Sequence, residues 1–153
     1  MSRVQLALNV SNLDDAIAFY SRLFNTEPAK VRPGYANFAV VEPPLKLVLI
    51  EGAVGGTLNH LGVEVETTDE VASTQTRLSG EGLVTATEEN VSCCYAVQDK
   101  GWVDDPDGAP WEVYTVLGDV EMPNGQLRTV DPETGAACCA TVAGDADAAA
   151  QCC

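Results

Sequence analysis

Three polar side chains far apart in the chain, Gln5, His60 and Glu112, and three Cys-Cys pairs carry the chemistry that this sequence can do. The pairs are Cys93-Cys94, Cys138-Cys139 and Cys152-Cys153, and they account for all 6 cysteines. A disulfide scaffold spreads its cysteines to staple distant segments, which this chain does not do. A bridge between neighbouring residues closes a strained ring, so each pair is expected to stay an accessible dithiol. In a reducing compartment such a dithiol suits soft metals and metalloids. The bland alternative, that Cys93 and Cys94 are small packing residues, is hard to extend to three pairs. Gln5, His60 and Glu112 offer an amide oxygen, an imidazole and a carboxylate, a donor set for a divalent cation. A lone histidine is commonly structural, so the elements that position these residues decide the matter.

An internal repeat supplies those elements. Sliding the chain by 55 residues, the distance from Gln5 to His60, brings its halves into register. Leu6, Leu8 and Val10 then fall on Leu61, Val63 and Val65, at the period of a half-buried strand. Asn12-Leu13-Asp14-Asp15 falls on Thr67-Thr68-Asp69-Glu70, a cap followed by an acidic first turn. Helices are predicted over residues 14–24 and 69–78, the first with a broad apolar face. Strands are predicted over 27–32, 35–41 and 46–51 in the first half, and over 83–87, 95–103 and 111–117 in the second. Pro33-Gly34, Pro43-Pro44 and Asp105-Pro106-Asp107-Gly108 supply turns between them. The expected fold class is α+β: two βαβββ modules, about 3–52 and 58–117, pairing curved mixed sheets around a metal-binding cleft. Together they make a domain over 1–117, and residues 118–153, rich in Ala, Gly and Asp, read as a flexible Cys-rich C-terminal tail.

Composition narrows the partners. With 46% hydrophobic residues the 153-residue chain can build a core. A net charge of −15, from 23 acidic and 8 basic residues, argues against nucleic acid and anionic membrane, both of which need a positive surface. The N-terminal stretch lacks the apolar run and cleavage site of a signal peptide. No segment approaches the roughly 18 apolar residues of a membrane span. The expected location is cytoplasmic, as a monomer or homodimer.

Within this frame the repeat places Gln5 and His60 at equivalent positions, on strand faces opposite the apolar Leu6 and Leu61 sets. Glu112 alternates with Trp111 and Val113 on the last strand. The matching strand of the first module, around Lys46 and Leu47, brings no carboxylate. The expected metal site therefore has three protein ligands, Gln5, His60 and Glu112, and open positions for substrate, water or O2, the pattern of non-heme Fe(II) oxygen chemistry. Another divalent metal could replace Fe(II) in purified protein. With one ligand charge, the bound cation stays net positive towards an anionic substrate.

The stretch Asp105-Pro106-Asp107-Gly108-Ala109-Pro110-Trp111-Glu112 resembles the D-P-x-G-x-x-x-E segment of glyoxalase and bleomycin-resistance-like proteins, members of the vicinal-oxygen-chelate superfamily with the extradiol dioxygenases. That resemblance covers about residues 3–117 and implies a metal ligand at Glu112. Asn90-Val91-Ser92-Cys93-Cys94-Tyr95-Ala96, with Gln5, His60 and the Cys-rich tail, is similar to the C–As lyases and the cadmium-induced proteins related to them. The implied activity is O2-dependent demethylation or dearylation of trivalent organoarsenicals, methylarsenite or aromatic, to inorganic As(III). The implied substrate ligands are Cys93 and Cys94. Adjacent side chains of a regular strand point to opposite faces, so the pair can chelate together only at a loop or an irregular strand end. Asn90-Val91-Ser92, between two predicted strands, permits either. Tyr95, Lys100 and Trp102 are candidate substrate contacts, with ring packing and solvation as the alternatives. Cys138, Cys139, Cys152 and Cys153 are candidates for accessory metalloid capture, their mobile tether raising effective concentration. Three other functions compete: sequestration of Cd(II) or As(III) without turnover, a glyoxalase-like resistance enzyme with Ni, Zn or Mn, and a metal-free drug-binding module.

Overall fold

The structure, a computed structural model, describes residues 2–52, 54–83, 85–93, 95–120, 127–130 and 137–140. Two compact units divide the chain, Met1–Val65 and Glu66–Cys153. The first holds β1 (Arg3–Val10), α1 (Leu13–Phe24), β2 (Lys30–Arg32), β3 (Tyr35–Val40), β4 (Leu45–Glu51) and β5 (Thr57–Glu64). Its strands run in the order β2-β3-β4-β1-β5. β1 lies parallel to β4 and antiparallel to β5, so the sheet is mixed.

Local chemistry sets the ends of α1. Asn12 adopts an extended backbone and its side chain accepts from the Asp15 N–H at 2.9 Å, with Asp14 and Asp15 in the first turn. Asn25 closes the helix at φ 48°, a left-handed conformation that asparagine tolerates. The core of this unit is Leu13, Ala36, Phe38, Val40, Leu47 and Leu49, flanked by Leu6, Leu8, Val10, Ile17, Tyr20 and Phe24. Fully buried side chains such as Phe38 and Leu49 each contribute about 1.5–3 kcal/mol. The strand face carrying Leu6, Leu8 and Val10 is thus committed to the core, as the alternation predicts.

The second unit contains α2 (Thr68–Gly80), β6 (Ala86–Cys93), β7 (Ala96–Asp104) and β8 (Pro110–Asp119), with strand order β8-β7-β6. Thr67 and Glu70 form a reciprocal capping box at the start of α2. Both βαβββ modules are therefore present in chain order. The compact-unit boundary falls after β5 because β5 forms its ladder with β1.

Two stretches carry strand pairing that the sequence reading did not place. Asn90–Ser92, read as permitting a loop or an irregular strand end, belongs to β6, which passes through this stretch with a register shift between Glu88 and Val91. Asn90 takes φ 52° there, and its N–H donates to Asp99 Oδ1 at 2.8 Å, so a buried carboxylate stabilises the irregularity. Within the expected tail, β9 (Leu127–Val130) and β10 (Ala137–Ala140) pair antiparallel. Among the described residues no helix is long and apolar enough to cross a membrane.

Gln75 of α2 is only 7% exposed, and neither polar atom of its side chain has a hydrogen-bond partner among the described residues. It packs over Gly101 of β7, where any Cβ would collide with it. A buried amide left unpaired costs about 1–3 kcal/mol. Gln75→Met, similar in shape and apolar, is expected to raise stability by about 1 kcal/mol, read as a higher urea midpoint with an unchanged slope. A lower midpoint would show that the amide is satisfied.

Candidate metal centre

Gln5 and His60 meet in the first unit. On β1 and β5 the register pairs Gln5 with Gly62 and Ala7 with His60, then slips between Ala7 and Leu8. Both side chains are buried, Gln5 at 3% and His60 at 6% exposure. Gln5 Nε2 lies 3.0 Å from His60 Nε2. The other ring nitrogen, Nδ1, is 2.6 Å from Asn59 Oδ1. Because that carbonyl oxygen can only accept, Nδ1 carries the proton and Nε2 presents its lone pair.

These residues fit a divalent cation. Nε2 is the imidazole nitrogen that carries a lone pair in this tautomer, and a half-turn of the Gln5 amide brings Oε1 where Nε2 now stands. Among the described residues no three His, Cys, Asp or Glu side chains cluster within reach of one ion. Beside His60, Gln5 offers an amide oxygen as a further donor. Across β1, the parallel neighbour of Gln5 is Lys46, 8% exposed, with Nζ 3.9 Å from Glu64 Oε2. Glu64 in turn accepts from Arg3 Nε at 2.7 Å. The β4 position beside Gln5 thus holds a cation, in keeping with the expectation that the first module adds no carboxylate.

Glu112 belongs to the second unit. It sits on β8, 3% exposed, on the same strand face as Tyr114, while Trp111 and Val113 are less buried. Lys100 Nζ approaches Glu112 Oε2 at 3.4 Å and lies 5.3 Å from the centroid of the Trp102 ring. Trp102 Nε1 donates to Glu88 Oε2 at 3.3 Å. Lys100, for which solvation was one expected role, is instead 2% exposed. A buried ion pair is weak evidence of stabilisation, since desolvation offsets most of the attraction, so orienting the carboxylate is its better explanation. Lys100→Met is expected to cost about 1.5–3 kcal/mol, measured by denaturant unfolding of metal-free protein. A change within experimental error would mean that Glu112 does not depend on this lysine.

The thiol segment ends β6. Cys93 pairs with Ala96 of β7 at the end of the β6–β7 ladder. Tyr95 takes φ 64°, a left-handed conformation, and its carbonyl accepts from the Val120 N–H at 3.1 Å. The backbone of Cys93 is therefore at a strand end, one of the two settings in which neighbouring thiols can act together. Cys94 lies outside the described residues, as do Cys152 and Cys153, while Cys138 and Cys139 fall on the backbone of β10.

The sequence reading missed Asn9, Thr57 and Asn59, which support His60 from behind. Asparagine is depleted from strands, so Asn9 and Asn59 within two otherwise alternating apolar strands were the available signal.

Comparison with known proteins decides the family. The profile of the Glyoxalase/Bleomycin resistance protein/Dioxygenase superfamily matches residues 3–113. The chain belongs to this superfamily. Within the superfamily it is 58% identical over 142 residues to the cadmium-induced protein CadI of Mycobacterium tuberculosis, covering 91% of this chain and 93% of that one. It is 57% identical over 141 residues to a trivalent organoarsenical cleaving enzyme of Thermomonospora curvata, covering 91% and 89% of the two chains. A second protein of that name, from a Bacillus strain, is 38% identical over 160 residues, covering 100% and 99%. Among solved structures, an extradiol ring-cleaving dioxygenase from B. fuscum superposes with TM-score 0.59 at 22% identity, over 78% of this chain and 34% of that one. The Mn(II)-bound glyoxalase of Novosphingobium aromaticivorans gives 0.58 at 19% identity, over 78% and 42%. These superpositions establish the superfamily's α+β fold, with its repeated βαβββ modules and mixed sheet.

Proposed function

We propose that this chain cleaves the carbon–arsenic bond of trivalent organoarsenicals, with O2 as oxidant and a divalent metal, Fe(II) by preference, held by Gln5, His60 and Glu112. The observation that carries the reading is the 57% identity, over nearly the whole chain, to an enzyme named for cleaving trivalent organoarsenicals. The buried Gln5–His60 pair, with its unprotonated Nε2, supports the metal assignment independently.

Cys93 and Cys94 bind the substrate by exchange. Two thiols replace the two hydroxyls of R–As(OH)2, two waters leave, and the As–C bond remains intact. The strand end at Cys93 suits this step, because the strict alternation of neighbouring side chains stops there. The metal, when bound, would supply the site at which O2 becomes reactive towards that bond. Tyr95, Lys100 and Trp102 are proposed substrate contacts, with Lys100 also orienting the Glu112 carboxylate through their ion pair. Cys138, Cys139, Cys152 and Cys153 are proposed to capture metalloid for delivery to Cys93 and Cys94.

For methylarsenous acid the atoms balance with O2 alone: CH3As(OH)2 and O2 give As(OH)3 and formaldehyde. Carbon is oxidised, O2 is reduced, and arsenic stays trivalent, so no further reductant enters. Methylarsenite labelled with 13C at the methyl group is therefore expected to yield labelled formaldehyde and arsenite in equal amounts. Labelled methane or methanol would contradict this balance.

A second reading rests on the 58% identity to a protein named for induction by cadmium. It makes the thiol pairs a sink for Cd(II) or As(III) without turnover. Stoichiometric metalloid binding with no change in arsenic speciation would favour it. A glyoxalase-type centre with a fourth ligand from the first module is disfavoured by Lys46, which occupies the strand position beside Gln5.

A further inference from the structure

The polar side chains behind His60 form one directed chain, and its direction is set by a backbone group. Val54 C=O can only accept, so the Thr57 hydroxyl, 3.2 Å away, spends its one proton there. Thr57 Oγ1 must then accept from Asn9, whose Nδ2 lies at 2.9 Å. That turns Asn9 Oδ1 towards Asn59, whose Nδ2 donates to it at 2.8 Å. Asn59 Oδ1 is consequently the atom facing the imidazole, 2.6 Å from Nδ1. Each link dictates the next.

From this geometry we infer that Asn59 and Asn9 are positioning residues that lock His60 in its Nδ1–H tautomer and aim Nε2 at the centre. The inference rests on His60 being a metal ligand for its functional meaning, although the tautomer itself does not depend on that. A strand would ordinarily send residues 59 and 60 to opposite faces. Here the register passes from Ala7↔His60 to Leu8↔Leu58, leaving Asn59 unpaired at a bulge, which lets its side chain reach the adjacent ring. Asn59 is 8% exposed, so water competes little for the bond. The links at Thr57 form the exposed end of the chain, and the Asn59–His60 bond is its buried end. An unanchored asparagine amide could present either end to the ring. If Asn59 turned over, its NH2 would face Nδ1 and the proton would move to Nε2, blocking coordination.

The test uses the full metal-free chain labelled with 15N in its imidazole, at a pH where the ring is neutral. With 1 histidine in the sequence, every imidazole signal belongs to His60. The unmodified chain is expected to show a protonated, pyrrole-type Nδ1 and a pyridine-type Nε2. In Asn59→Leu and Asn9→Leu the proton is expected to shift to Nε2 in a large fraction of molecules. Asn59→Asp, which keeps the acceptor, should hold the original tautomer. Anaerobic Fe(II) titration of the same samples should show affinity about 10–100-fold weaker in the two leucine variants, and closer to the parent in the aspartate variant. A proton on Nε2 in the unmodified chain would overturn the inference, whether or not any variant folds. So would an unchanged tautomer in Asn9→Leu. A tautomer that shifts as expected while Fe(II) affinity stays constant would instead overturn the ligand role of His60.

Discussion

Serine in place of Cys93 or Cys94 is expected to abolish organoarsenical turnover and leave metal binding intact. The basis is chelation: two thiolates on one arsenic make the second bond intramolecular, so removing one forfeits the effective concentration of the other. Losses of this kind run at about 10²–10⁴-fold in affinity. A single remaining thiol holds the arsenical loosely and in no fixed orientation. Either serine variant should therefore lose methylarsenite binding in equilibrium dialysis while Fe(II) titrates as in the parent. The double variant should be no worse than either single one, because the two thiols act as a unit. A single variant that still turns over methylarsenite at the parental rate would remove the chelation role.

Loss of a metal ligand should give the mirror image. His60→Ala takes away the nitrogen whose tautomer and direction the first unit is built to fix. Glu112→Gln keeps the shape of its side chain but removes the one ligand charge. Substituting groups merely behind a ligand costs about 10–100-fold in metal affinity, and a ligand itself should cost at least about 100-fold. Both variants are expected to lose Fe(II) in anaerobic titration and to retain methylarsenite on the Cys pair. Undiminished Fe(II) affinity in His60→Ala would place the metal elsewhere. Undiminished affinity in Glu112→Gln alone would reduce the proposed set to ligands of the first unit. Together, the serine and ligand variants separate substrate capture from metal capture.

Much of the frame was legible because it depends on periodicity and caps. The repeat places β1 on β5, and α1 and α2 begin where Asn12 and Thr67 cap them. Gln5 and His60 were readable as partners because the shift between modules is also the relation between paired strands, and the two side chains meet at 3.0 Å. What escaped depends on contacts between residues far apart in the chain. A bulge has no periodicity of its own, so the placement of Asn59 beside His60 could not be read from alternation. Asn90-Val91-Ser92, lying between two predicted strands, left a loop or an irregular strand end open, and Asp99 and the β7 ladder hold it within β6. Solvation was one of two readings of Lys100 because lysine is commonly solvated, whereas an acidic partner two positions beyond Pro110 and an aromatic ring on its own strand keep it buried. Burial of a charge is decided by its partners, and strand pairing supplies those.

The most direct test of the central claim couples two readings in one vessel. Anaerobic, Fe(II)-loaded protein is mixed with excess methylarsenite, O2 is admitted, and oxygen uptake and arsenite release are followed together. Equimolar uptake and release over many turnovers, both absent without Fe(II), is the predicted result. Methylarsenite bound in stoichiometric amount, with no arsenite formed and no O2 consumed, would contradict the lyase and leave a metalloid-binding protein.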